Sequence, residues 1–296
     1  MPDYLPFSGM RSAPARLELV EVAWRMTASP RTVTVHHAII HRALKKATKE
    51  RLLVRNPAAD VEHRARPTHT DRREQARQHC WSASEARAFL EAAKATTPQL
   101  SAPQLSAFYT LALDSGARKS ELHGLTWDAI DLEAGAVTIR RQLDKAGAVP
   151  VFGPTKTDRA RTVSLGAETI ARLHAHKRTK AAIKMANRTT YQDFGLVFAK
   201  EYGDLHGEGT QLGQPLRPLG AYVFHKLVVT AGVRRIKFHG LRHTTATLLL
   251  QAGIPAHVVA QRLGHAQVAM TLDVYAHVLP AMQQEAASKL AAALYG

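Results

Sequence analysis

A mainly α-helical protein with a small antiparallel β-sheet is what the sequence predicts, arranged as a short helical N-terminal domain and a larger second domain. Three observations lead there. Apolar residues recur at helical spacing through most of the chain. The period changes to two only between residues 135 and 165. A polar, arginine-rich stretch, residues 64–80 with five arginines, separates two regions of ordinary apolar patterning. The 296 residues therefore divide into a first domain over 1–65, a basic linker over 66–80 and a second domain over 81–296.

In chain order, Pro2, Pro6, Gly9 and Pro14 break up a weakly patterned start that holds one plausible helix, 16–26, and residues 1–28 match no pattern further. Ser29-Pro30 opens a stronger helix, serine as cap and proline at the first position. Val33, His37, Ile40 and Leu44 form its apolar stripe, and Arg42, Lys45, Lys46, Lys49 and Arg51 crowd the rest. Asn56-Pro57 is expected to end it. Ser82 and Glu85 have capping-box spacing and start a helix containing Phe89 and Leu90. The next helix, about 103–114, stops at Ser115-Gly116. Residues 136–140, 149–152 and 161–165 read as strands of one sheet, with Lys156 on a turn. Helices are expected again at roughly 166–186, 219–231, 239–252, 255–263, 267–278 and 281–294. Gly232, Gly253 and Gly264 occupy helix C-terminal positions, and Pro255 a first helical position.

Composition narrows the function classes. There are 40 basic and 24 acidic residues, a net charge of +16. The charge is spread, with +7 in residues 1–80 and +9 in residues 81–296, so both halves can face one polyanion. No apolar run approaches the roughly 18 residues of a membrane helix, and the first residues lack a secretory layout. A single cysteine, Cys80, cannot form an internal disulfide, which points to a reducing, cytoplasmic setting. Metal-ligand and phosphate-loop motifs are missing. His37 and His41 lie four apart, but on a basic face without an acidic third ligand.

What remains is a scatter of single groups. Arg118 follows Ser115-Gly116-Ala117 at the start of a short helix, where unpaired backbone N–H groups favour an anion. Glu121 either fixes that guanidinium or caps the helix. His239 and Arg242, three apart, are expected to project together from the 239–252 helix, away from a buried stripe of Leu241, Thr245 and Leu248. They form a phosphate-competent pair or are two unrelated surface residues. His265 follows Gly264 in a tight connection. Tyr275 shares a register with Val268, Leu272 and Leu279 that suits a core tyrosine as well as a nucleophile.

The conjunction is more specific than its parts. Ser-Gly-Ala-Arg118-Lys-Ser-Glu121-Leu, then Lys156, then His239-Gly-Leu-Arg242-His, then Leu-Gly-His265 and Tyr275 ten residues later resemble the tyrosine recombinase (phage integrase) family in kind, order and spacing. Leu125-Thr-Trp127 and Arg161-Thr162-Val163 add to the likeness, which covers about residues 81–290. Residues 29–59 look like the last helices of the family's core-binding domain, which the resemblance implies is shortened here.

The resemblance implies a catalytic domain of that fold and a site-specific recombinase. Tyr275 would attack a phosphodiester of double-stranded DNA, leaving a 3′-phosphotyrosine and a free 5′-hydroxyl. Arg118 and Arg242 would clamp the phosphate, and His239 would accept the tyrosine proton. Lys156 would protonate the departing oxygen, His265 would bond the phosphate, and Glu121 would support the arginines. The chemistry needs no cofactor, metal or ATP. Arg42, Lys45, Lys46, Lys49, Arg72 and Arg73 are expected to contact DNA. A C-terminal helix, 281–294, would link protomers into a tetramer on DNA through Met282, Ala286, Leu290 and Leu294, or else pack on its own chain. DNA-bending accessory proteins are implied as partners, and a membrane is not. The rival readings are a DNA-binding remnant without turnover and a type IB topoisomerase-like enzyme.

Overall fold

The computed structural model describes residues 30–61, 79–95, 102–145, 150–156, 159–201, 212–216, 221–268, 271 and 279–295. The expected helix 16–26, most of the linker with Arg72 and Arg73, and Tyr275 lie outside them. The chain divides into two compact units, residues 1–72 and 73–296.

In the first unit, helix α1 (Pro30–Lys49) begins where Ser29-Pro30 predicts. Val33 and His37 are buried, and Arg42, Lys45, Lys46 and Lys49 are exposed. The helix stops before Asn56-Pro57, which was the expected terminator. Arg51 takes a left-handed φ of 59°. Its N–H bonds Thr48 O, and that of Leu52 bonds Ala47 O. This pair of bonds closes a helix end without glycine. Asn56 instead caps a 3-10 turn, Pro57–Ala59, by accepting from Ala58 N. Its amide also donates to His41 O and folds the turn back on α1.

The second unit opens at α2 (Ala83–Ala92), where Ser82 and Glu85 make the predicted reciprocal capping box. Helix α3 (Ala102–Ser115) is buried on nearly all sides, and the short α4 (Lys119–His123) follows it. Trp81, Phe89, Phe108, Tyr109, Phe198 and Phe224 make an aromatic core around α3, with edge-on pairs such as Phe108–Phe198 at 4.9 Å.

The β region differs from the single sheet expected. Strands β1 (Ile130–Asp131), β2 (Ala136–Ile139) and β5 (Arg161–Ser164) form one antiparallel sheet in the order β1-β2-β5, with Val137 opposite Val163 and Ile139 opposite Arg161. Strands β3 (Arg141–Lys145) and β4 (Val151–Pro154) form a separate hairpin. Strand β3, Arg-Gln-Leu-Asp-Lys, has one aliphatic residue, which is why alternation did not reveal it.

Helices α5 (Ala167–Ala186), α6 (Ala221–Thr230), α7 (His239–Gln251) and α8 (Ala256–Leu263) follow close to their expected bounds. Pro255 sits just outside α8, at its cap. Gly232, Gly253 and Gly264 take φ of 62°, 79° and 68°, the left-handed helix ends expected. Of the helix expected at 267–278, Gln267, Val268 and Thr271 are described; Val268 and Thr271 are helical and Gln267 is not. The last helix, α9 (Leu279–Tyr295), is exposed at every position from 287 to 295.

Candidate active site

The site starts from one buried carboxylate. Arg118 caps α4, its backbone N–H donating to Glu121 Oε2 at 2.8 Å and its Nη1 to Oε1 at 2.9 Å. The Glu121 side chain has no solvent exposure. A buried charge needs partners, and the second is Arg161 on β5. Its Nη1 donates to Oε1 at 3.2 Å and its Nη2 to Oε2 at 2.6 Å, while its Nε reaches Arg262 O at 3.0 Å. Burial pushes the Glu121 carboxyl up, but the hydrogen bond and charge of Arg161, followed by the contacts with Arg118, hold it below the usual carboxylate value.

Helix α7 carries the second arginine. Arg242 is buried, 3% exposed, and its Nη1 donates to Gly116 O at 2.8 Å. The expectation that it projects from the core face is corrected here. Helix α7 is wrapped by protein on most sides, including at Thr244, which accepts from Trp81 N at 2.9 Å. Its exposed residues are at the two ends, His239 at the first turn and Gln251 at the last. The imidazole of His239 is held below the usual histidine value by loss of hydration, then by the charges of Arg242, Arg118 and Lys156. The His239 and His243 rings meet edge to face, 4.8 Å between centroids.

His265 follows the left-handed Gly264 that ends α8. Its Nδ1 lies 2.8 Å from the hydroxyl of the fully buried Thr271. Burial, then the charges of Arg242, Arg118, Arg161 and His239, lower its pKa to about 4. Gly264 O also accepts from Arg118 Nη2 at 3.5 Å. Lys156 is exposed on the turn after β4.

Thus Arg118, Glu121, Arg242, His239, His265 and Lys156, spread over the second unit's sequence, act on one another electrostatically or through hydrogen bonds. Arg42, Lys45, Lys46 and Lys49 belong to the first unit, all on the exposed side of α1.

Residues 81–282 match the Phage integrase family. The chain belongs to that family. A tyrosine recombinase XerC-like protein of Caldanaerobacter subterraneus subsp. tengcongensis is 28% identical over 200 residues, covering 63% of this chain and 49% of that protein. The prophage integrase IntR of Escherichia coli is 30% identical over 197 residues, 63% of this chain and 46% of the relative. This integrase-family chain thus spans about half the length of these relatives. Its fold is similar to that of the Tn1549 transposon integrase in complex with a circular intermediate DNA, with TM-score 0.66 and 18% identity over 92% of this chain and 85% of that one. A lambda integrase dimer bound to a COC′ core site gives TM-score 0.59 at 15% identity, covering 90% and 65%.

Two features of this integrase-family site escaped sequence reasoning. Arg161 stands in the sequence as a strand residue and as part of the family likeness, with no role of its own, although alternation puts it on the same inward face as Val163, and an inward arginine demands a carboxylate. The pair Asp114–Arg262 is the other. Arg262 Nη2 donates to Asp114 Oδ1 at 2.7 Å and to Asp114 O at 2.9 Å, tying α8 to the end of α3. No local spacing connects residues 148 apart.

Proposed function

We propose that this chain is a site-specific DNA strand transferase that cuts and rejoins double-stranded DNA through Tyr275. In the first step the Tyr275 hydroxyl attacks the phosphorus, forms a 3′-phosphotyrosine and expels the 5′-oxygen. The tyrosine proton passes to His239 and Lys156 protonates the leaving oxygen, so charge and protons balance. In the second step a 5′-hydroxyl attacks the phosphotyrosine, the bond re-forms and the tyrosine is released. The two steps conserve the bond energy.

The observation that carries this reading is the convergence of Arg242, Arg118 and Lys156 on His239. Such a field stabilises the extra negative charge of a phosphorane-like transition state, and permanently protonated guanidinium forks suit its oxygens. Burial, and then this field, keep His239 neutral at pH 7 and able to accept a proton. His265, neutral for the same reason, can donate from Nε2 when the Thr271 hydroxyl donates to Nδ1. Arg42, Lys45, Lys46, Lys49, Arg72 and Arg73 would hold the phosphate backbone. The apolar residues Leu290 and Leu294, 60% and 62% exposed, support packing of α9 on another protomer in a tetramer. Proteins that bend DNA would then assist assembly. The division into a core-binding part over 1–65, a linker and a catalytic part over 81–296 belongs to the same proposal.

The test is incubation of the full chain with a supercoiled plasmid carrying the DNA that flanks its coding sequence, stopped with detergent. Covalent protein–DNA complexes at a defined position are expected. Relaxation without site preference would favour a topoisomerase-like enzyme, and binding without any adduct would favour a remnant.

A further inference from the structure

The charge count around Glu121 is uneven: one buried carboxylate is shared by two arginines. Arg161 takes the better share. It spans both oxygens, with 7% of its side chain exposed, and its Nε holds the carbonyl of Arg262 at 3.0 Å. Two residues further, the Gly264 carbonyl accepts from Arg118. A ring of contacts therefore runs from Arg118 through Glu121 and Arg161 to the 262–264 turn and back to Arg118, and the next residue is His265. The packing leaves no slack, since a Cβ on Gly264 would lie 2.9 Å from Arg161 Nη1 and 3.0 Å from its Cδ.

We propose that Arg161 is a positioning residue that neutralises Glu121, so that the charge of Arg118 is left for the scissile phosphate, and that the same guanidinium pins the turn carrying His265. The proposal rests on the strand-transfer reading. Without Arg161, Glu121 and Arg118 would form a closed pair with no net charge, and the field of Arg118 at a phosphate would shrink from that of a charge to that of a dipole. With Arg161 present, the trio carries one net positive charge, carried on Arg118, the more exposed of the two guanidiniums.

The test compares the full chain with R161M, R161K and E121Q/R161M in single-turnover formation of the detergent-resistant adduct on the same plasmid. R161M should slow the reaction by about 10²-fold, the scale of losing one preorganised donor, while binding of a fragment of that plasmid stays unchanged. E121Q/R161M should react at least about tenfold faster than R161M, because the uncompensated carboxylate is gone. R161K keeps the charge and should react faster than R161M. If R161M fails to fold, R161K decides: a loss as large as about 10²-fold overturns the charge role. A wild-type rate in R161M, or a double variant no faster than R161M, overturns it as well, the latter marking a purely structural contact.

A second arm needs no DNA chemistry. Among the described residues the charges that lower His265 are those of Arg242, Arg118, Arg161 and His239, and His243 is coupled to it as well. Titration of His265 by NMR should move upward in R161M and stay close to wild type in R161K, and an unmoved titration in R161M refutes the proposal. Absence of any adduct from the wild type would sink the strand-transfer reading while leaving this arm to decide on Arg161.

Discussion

Gly116 joins α3 to the Arg118 helix and presents its carbonyl to Arg242, so Gly116→Ala probes the scaffold where it meets the site. Its φ is +61°, a region that costs an L-residue about 1–2 kcal/mol. The added Cβ would lie 2.4 Å from Leu263 Cδ2 and 3.4 Å from Thr245 Cγ2. Leu263 has no exposure and packs with Ala246, Leu250 and Val259, so it cannot swing into solvent. Overpacking of this kind costs about 1–3 kcal/mol. Together these predict a loss of about 2–5 kcal/mol, read by urea unfolding followed through tryptophan fluorescence. The steric share can be isolated with Leu263→Ala, which removes the obstructing methyl. The double variant should be more stable than the sum of the single effects by about 1 kcal/mol or more, as for residues in contact. Strict additivity, or a loss for Gly116→Ala below about 0.5 kcal/mol, the scale of an ordinary surface change, refutes the reasoning.

Three further outcomes are expected. Arg118→Lys should lower adduct formation about 10²-fold, nearly as much as Arg118→Ala, because a point charge cannot serve Glu121 and a phosphate with one planar fork; single-turnover rates near wild type for the lysine variant would count against the clamp. Stability should decline as pH falls from about 6.5 toward 4: burial holds fully buried His176 at about 4, so unfolding takes up a proton in that window, worth on the order of 3 kcal/mol once pH nears 4. Urea curves at several pH values, with His176→Phe as the reference, check this, and equal slopes for both proteins contradict it. Deleting residues 281–296 should spare adduct formation but weaken pairing of two DNA sites in a gel assay, and unchanged pairing would argue against α9 as a link between protomers.

The parts of the fold that sequence revealed are those set by neighbours in the chain. Ser82 with Glu85 announced a helix start because the two capping bonds span three residues, and Gly264 announced a helix end because its conformation is local. Strand β3 stayed hidden because its partner, not its own composition, makes it a strand. The same division holds at the site. Arg118 and Glu121 could be paired from their spacing alone. The burial of Arg242 could not, since it depends on Gly116, 126 residues away. Arg161 was legible only in half: its inward direction followed from alternation, its carboxylate did not. The resemblance to a family supplied the long-range grouping that local rules cannot.

Everything proposed for the chemistry converges on one oxygen atom. Digesting a trapped protein–DNA adduct with protease and sequencing the nucleotide-bearing peptide by mass spectrometry identifies the linked residue. The strand-transfer mechanism predicts a 3′-phosphate joined to Tyr275 and no adduct from Tyr275→Phe. A nucleotide on any other side chain, or an adduct that survives that substitution, would contradict it.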